Sequence, residues 1–381
     1  MSFADVRHQD GALATLRAAV AADRLPQAYL FVGPPGVGKG LVARQLAKLL
    51  FCASPVEPAT AATDSCGVCT HCVRVDHGTH PDLYWFRKEP DRNDFRIELV
   101  TRRDGSPANV VTESVTLQPM EAERTVTVID DAERMNANAA NSLLKSLEEP
   151  APHAVLILVC SEVANLPGTI LSRCQWVRFR PLPEAFVADR LSEILRREAT
   201  AAAEDPRADP PRSVSPDEAA YVCRLAGGSI ETADRLAGSG LWDLKRELVA
   251  RLPEMDEAVG IDMAGAVDAW ARARAKAERT TRESREETAL RRQAVRTALA
   301  AVGSALRDAA VVACGGDVAL ANVDQAAEIG RLADWGPEAL ERAVAIQADA
   351  QGHISRYVHI ELATENALVQ ISRLRPVRAG R

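Results

Sequence analysis

Short apolar runs alternate with helix-spaced stretches over the first 180 residues of the chain. The runs are Ala28–Val32, closed by Gly33, then Leu83–Phe86, Val126–Ile129, Val155–Cys160 and Trp176–Phe179. Continuous rather than alternating apolar runs are the mark of strands buried on both faces. With helices between them, they predict a parallel sheet covered on both sides. Leu13, Leu16 and Val20 give Gly11–Ala22 a helical apolar face, and a second helix is expected over Leu41–Phe51. A third is expected over Asn141–Pro150, with Leu143, Leu144 and Leu147 toward the core. Its Glu148-Glu149 end puts negative charge at the negative pole of the helix, which local stability does not explain. Pro181–Pro183 breaks the alternation, and residues 184–240 and 241–381 read as helices only. The polar stretches 87–109 and 199–216 read as insertions, the second flexible. Trp270–Arg296, dense in Arg and Glu, reads as a solvated helix face.

Composition narrows this picture without changing it. A chain of 381 residues suits two or three domains. A charged fraction of 26% and an apolar fraction of 47% are those of a soluble globular protein. Only 4% of residues are aromatic, and abundant Ala and Arg favour helices. No run of eighteen or more apolar residues is present, and Met1–Asp10 lacks the apolar core of a signal peptide. A cytoplasmic protein with no membrane partner is therefore expected. The net charge of −7 argues against non-specific nucleic-acid binding by the whole surface.

Three motifs carry chemistry. Gly33-Pro-Pro-Gly-Val-Gly-Lys-Gly40 follows a predicted strand and opens a predicted helix, which is the context of a phosphate-binding loop. Gly33, Gly36 and Gly38 would let backbone N–H groups turn to phosphate oxygens, with Lys39 reaching the outer phosphates. Residue 40 departs from the pattern: glycine has no hydroxyl for Mg²⁺, so ATP with Mg²⁺ as a cofactor stays open. Val126–Ile129 ends in Asp130 and Asp131. The first is placed to lie beside Mg²⁺. The second is one methylene shorter than the Glu usual in hydrolysing P-loop proteins, so it would hold an attacking water less well. Finally, Cys52-x13-Cys66-x2-Cys69-x2-Cys72 offers four thiolates, enough for a closed, structural Zn²⁺ site. His71 competes as a ligand but is expected to point away.

Taken with Asn141-Ser-Leu-Leu-Lys-Ser-Leu-Glu-Glu-Pro150 and Leu171-Ser-Arg-Cys174, the order of these motifs resembles the bacterial DNA polymerase III clamp loader over residues 1–240. The resemblance implies an AAA+ P-loop domain with a zinc module (52–72) over 1–180, a helical lid over 181–240 and a helical collar over 241–381. It implies that Arg173 acts in trans, entering a neighbouring subunit's ATP site, where a guanidinium suits phosphate oxygens. Among the family's types, Gly40, Asp131 and Glu231, which stands where an arginine usually contacts nucleotide, favour a delta-prime-like subunit whose own ATPase is weak or absent. The alternative is a gamma/tau-type motor subunit. Implied partners are the other clamp-loader subunits, gamma/tau and delta in type, with the sliding clamp and primed-template DNA reached through the complex. A zinc-dependent nucleic-acid-binding module is disfavoured by the net charge and by the lack of a basic-aromatic stripe around Cys66–Cys72.

Overall fold

The computed structural model describes residues 2–56, 63–87, 95, 97–101, 110–204, 210–278, 284–355 and 359–376. The chain divides into two compact units at the proline break, Met1–Pro183 and Glu184–Arg381.

In the first unit all of the apolar runs become strands: β1 (Ala28–Val32), β2 (Leu83–Phe86), β3 (Thr125–Ile129), β4 (Ala154–Cys160) and β5 (Gln175–Arg178). They pair in parallel in the order β2-β3-β4-β1-β5. The central strands explain their own composition, since β3 and β4 are buried along their whole length. Helix α1 (Asp10–Ala21) buries Leu13 and Leu16, and α2 (Lys39–Phe51) starts two residues before its apolar pattern does. Next come α3 (Thr70–Asp76), α4 (Ile97–Val100), α5 (Val111–Ser114), α6 (Ala137–Glu148) and α7 (Gly168–Leu171). The side chain of Asn136 caps α6 by accepting from Ala139 N at 2.9 Å. Leu143 and Leu147 of that helix are buried, while Leu144 packs half-buried at the edge of the same core. Of the 87–109 insertion, only Arg87, Phe95 and residues 97–101 lie within the described residues.

The second unit holds α8 (Glu184–Glu204), α9 (Pro216–Leu225), α10 (Ile230–Leu236), α11 (Leu241–Arg251), α12 (Glu257–Glu278), α13 (Ser284–Ala313), α14 (Ala326–Ala333), α15 (Pro337–Ser355) and α16 (Ile360–Ser372). Two expectations need correcting here. The 199–216 stretch is not a loop throughout, because α8 runs on through Glu204. Beyond residues 205–209, which lie outside the described set, Arg212 is anchored. It donates to Glu198 at 3.0 Å, to Asp234 at 2.6 Å and to the Ala237 carbonyl at 3.3 Å. Nor is Trp270–Arg296 simply a solvated face. Ala271, Ala275, Ala294 and Val295 are buried, and Arg272 and Arg291 both pair with Asp268 and Glu361. Helices α8, α9 and α10 pack on one another, whereas α11 to α16 enclose a separate core around Leu248, Val267, Leu299, Leu306 and Leu368. Lys245 is fully buried, yet its charge is met by Asp324 at 2.6 Å and by the faces of Tyr221 and Trp242 at 4.7 and 4.8 Å.

Candidate functional site

Parallel register brings the carboxyl ends of β1, β3 and β4 together, the place where open α/β sheets bind ligands. Val32 pairs with Cys160, so Gly33 and Ser161 emerge side by side. Phe86 pairs with Ile129, so Arg87 and Asp130 do the same.

The loop 33–40 has the backbone its glycines promise. Gly36 and Gly38 lie in the left-handed region, at φ of +68° and +99°. Gly33 is required for another reason: a Cβ there would stand 2.5 Å from the carbonyl oxygen of Phe179. Gly33→Ala is therefore expected to lower the stability of this unit by about 1–3 kcal/mol, the size of an overpacking defect. A thermal melt of the variant with an unchanged midpoint would contradict this. Residue 40 has no such constraint. A Cβ on Gly40 would meet the Trp85 ring at 3.6 Å, an ordinary contact, so crowding does not exclude a Ser or Thr.

Lys39 is buried, and its ammonium is already occupied. It donates to the carbonyls of Gly33 and Pro34 at 2.6 and 2.7 Å and to Ser161 Oγ at 3.1 Å. Burial lowers its pKa, against the pull of Glu133, Asp130 and Asp131. Ser161, rather than the buried Cys160, faces the loop, and its N–H donates to Glu133 Oε1 at 3.2 Å. Burial raises the pKa of Glu133, whose Oε2 has no partner among the described residues. Asp130 is taken by Arg87, whose Nε and Nη2 donate to Oδ2 at 3.2 and 2.9 Å. Asp131 stands at the head of a short 3-10 turn with φ of +58°, a conformation that aspartate tolerates better than most residues. Arg87, Ser161 and Glu133 thus complete a constellation that motif reading centres on Gly33, Gly36, Gly38, Lys39, Gly40, Asp130 and Asp131. Strand register is the signal that would have found Arg87, because it directly follows an apolar run parallel to the one Asp130 follows.

The four clustered cysteines converge. The sulfurs of Cys52, Cys66, Cys69 and Cys72 all lie within 4.8 Å of one another, and those of Cys66 and Cys72 are 3.9 Å apart. A tetrahedron of thiolates with bonds of ~2.3 Å has edges of about 3.8 Å, so the cluster fits a bound metal. Two backbone groups aim at sulfur, Cys66 N at Cys52 Sγ (3.2 Å) and Cys69 N at Cys66 Sγ (3.3 Å). N–H groups of Val68 and Cys69 pull the Cys66 thiol down to about 6, whereas burial pushes those of Cys52 and Cys72 up. A cation is what would ionise such a set together. The module is tied down at several points. Asp64 accepts from Phe3 N (3.2 Å) and Ala4 N (3.0 Å), buried Lys48 pairs with Asp76, and His80 stacks on Phe51 with centroids 4.3 Å apart.

His71, His80 and Glu121 also bring ligand atoms within 4.8 Å of one another. Hydrogen bonding argues against a second metal there. Asp82 N donates to His80 Nδ1 at 3.2 Å, so Nε2 carries the proton and donates to His71 Nδ1 at 2.9 Å. His71 therefore turns from the cysteines to His80.

Arg173 lies at the other end of the sheet. It precedes β5, whereas the phosphate loop follows the carboxyl end of the neighbouring β1. Roughly 13 Å of strand separates the two ends. Its Nη1 donates to the Thr169 carbonyl at 3.0 Å and its Nη2 to Glu148 Oε1 at 2.8 Å. That contact accounts for an acid at the C-terminus of α6.

Residues 8–183 match the family model described as "DNA polymerase III, delta subunit". The chain is similar to DNA polymerase III subunit delta' of Pseudomonas aeruginosa, 35% identical over 58% of this chain and 59% of that one. It is also similar to subunit delta' of Bacillus subtilis, 36% identical over 45% of this chain and 47% of that one. Subunit tau of Salmonella typhimurium is 31% identical over 70% of this chain and 38% of its own length. The chain thus spans less than two thirds of the relatives it matches. With its parallel five-stranded sheet, its glycine loop after β1 and these relatives, the chain is similar to the delta' and tau subunits of DNA polymerase III.

Proposed function

We propose that this chain is a delta-prime-type subunit of the replicative clamp loader, one that hydrolyses little or no ATP and donates Arg173 to a neighbouring subunit's ATP site. The observation that carries this reading is the state of its own metal position. Residue 40 offers no hydroxyl, and Asp130 is engaged by the Arg87 guanidinium. Mg²⁺ bound to nucleotide would lose one ligand and meet a cation at the other. Glu231, exposed in the first turn of α10, would repel phosphate where an arginine would attract it.

In this reading Cys52, Cys66, Cys69 and Cys72 hold a structural Zn²⁺. Residues 181–240 form the lid and 241–381 the collar. The partners are gamma/tau-type and delta-type subunits, and the sliding clamp and primed-template DNA are reached through the assembly, in the cytoplasm. Among the described residues no helix is long and apolar enough to cross a membrane.

The test is ATP binding and turnover by the purified chain with Mg²⁺, beside a Lys39→Ala variant. Turnover no higher than that of the variant is expected. Hydrolysis that depends on Lys39 would instead make this the gamma/tau-type motor subunit, a reading that the well-formed loop backbone keeps in play.

A further inference from the structure

We infer that Glu148 restrains Arg173, holding the guanidinium on its own subunit until a neighbour's nucleotide phosphate displaces it; this rests on the reading of Arg173 given above. An acid at the C-terminal residue of α6 opposes the helix dipole, and Lys145 is the only basic residue in that last turn. What the acid does contact is Arg173, through Nη2 at 2.8 Å. The same guanidinium is held from its other nitrogen by the Thr169 carbonyl at 3.0 Å and, more weakly, by Ser172 Oγ at 3.5 Å. Neighbouring acceptors thus engage both terminal nitrogens.

Carboxylate and phosphate oxygens ask for the same N–H donors, so they compete for them. The pair is also placed to open. Glu148 and Arg173 are 51% and 36% exposed, a setting in which an ion pair is worth little and exchanges readily. Beside it lies an open, solvent-facing cavity of about 350 Å³, lined by Gln27, Leu147, Pro150, Ser172, Arg173 and Gln175. A subunit beside an empty site would present a neutralised arginine. One beside a filled site would present a charged one.

The experiment uses the assembled complex with its ATP-hydrolysing subunits, without DNA or clamp, and follows turnover against ATP concentration. Glu148→Gln is expected to lower the ATP concentration for half-maximal turnover by about two- to five-fold, the strength of a surface ion pair, without lowering kcat. Glu148→Asp keeps the charge and should remain closer to the wild type. Arg173→Ala, alone or with Glu148→Gln, should sit at a common floor. A merely structural role for Glu148 would not improve the apparent affinity for ATP. If Glu148→Gln matches or falls below the wild type while Arg173→Ala is impaired, the restraint is wrong and the role of Arg173 stands. If Arg173→Ala has no effect, both ideas fall.

Discussion

Cys72→Ser is expected to empty the four-cysteine site and to destabilise the first unit by more than about 4 kcal/mol, the range reached when a structural metal is lost. Cys72 is fully buried, so the substituted side chain cannot turn to solvent, and serine is a poor replacement for thiolate sulfur. The free energy of a structural zinc site is folding free energy, about 10–16 kcal/mol for zinc in small peptides. Damage should not stay within the module. Asp64 holds the backbone of Phe3 and Ala4, Asp76 neutralises buried Lys48 of α2, and His80 rests on Phe51 at the end of that helix. Losing the metal would loosen all three ties and weaken the pairing of buried Lys48 with Asp76. Metal analysis and thermal unfolding should show about one zinc per wild-type chain, almost none per variant, and a much lower midpoint. A wild-type chain purified without zinc, or a variant that keeps it, would refute the assignment.

Arg173→Ala is expected to reduce turnover at the neighbouring subunit's site by at least about 10³-fold, the lower end of what an arginine supplied in trans contributes to phosphoryl transfer. Arg173→Lys should restore little of this, because a point charge cannot reproduce the planar fork of donors. The side chain is a third exposed and contributes to its own subunit only a surface ion pair and exposed hydrogen bonds to Thr169 and Ser172, so the folded chain should be little affected. Single-turnover hydrolysis in complexes carrying the variant, alongside a melting curve of the free variant, separates the two effects. Equal rates in variant and wild-type complexes would remove Arg173 from the reaction.

Much of this molecule is legible in its sequence because the signals are local. A strand buried on both faces must be continuously apolar, and β1 to β5 all announce themselves this way. Cysteines spaced to wrap one ion have few other reasons to stand so close. Proline marks the boundary between the units to within a residue or two. Pairings made across the sheet are harder to see. Asp130 is conspicuous as the end of an apolar run, but its engagement by Arg87 depends on which strands are neighbours. Ser161 and Glu133 likewise become parts of one network only once β1, β3 and β4 are aligned. Glu148 was visible as an anomaly, a charge on the wrong pole of a helix, yet its partner lies 25 residues on, beyond any helical periodicity. Reading 199–216 as an insertion misses the end of α8 and the anchoring of Arg212 for a related reason. Polar composition does not reveal that Arg212 has a carboxylate waiting for it on α8, another on α10 and a carbonyl just after α10.

The lysine of the phosphate loop has a bearing on how such loops persist. Tied to the carbonyls of Gly33 and Pro34 and to Ser161, it supplies from within the chain the order that a bound phosphate supplies elsewhere. Gly33 is held in place by the backbone of β5's extension, which is indifferent to nucleotide. Replacements along this loop would be resisted for architectural reasons even in a chain that never turned over ATP. The glycine signature can therefore outlive its ligand, and the hydroxyl at residue 40, which has no architectural duty, is the part free to be lost first.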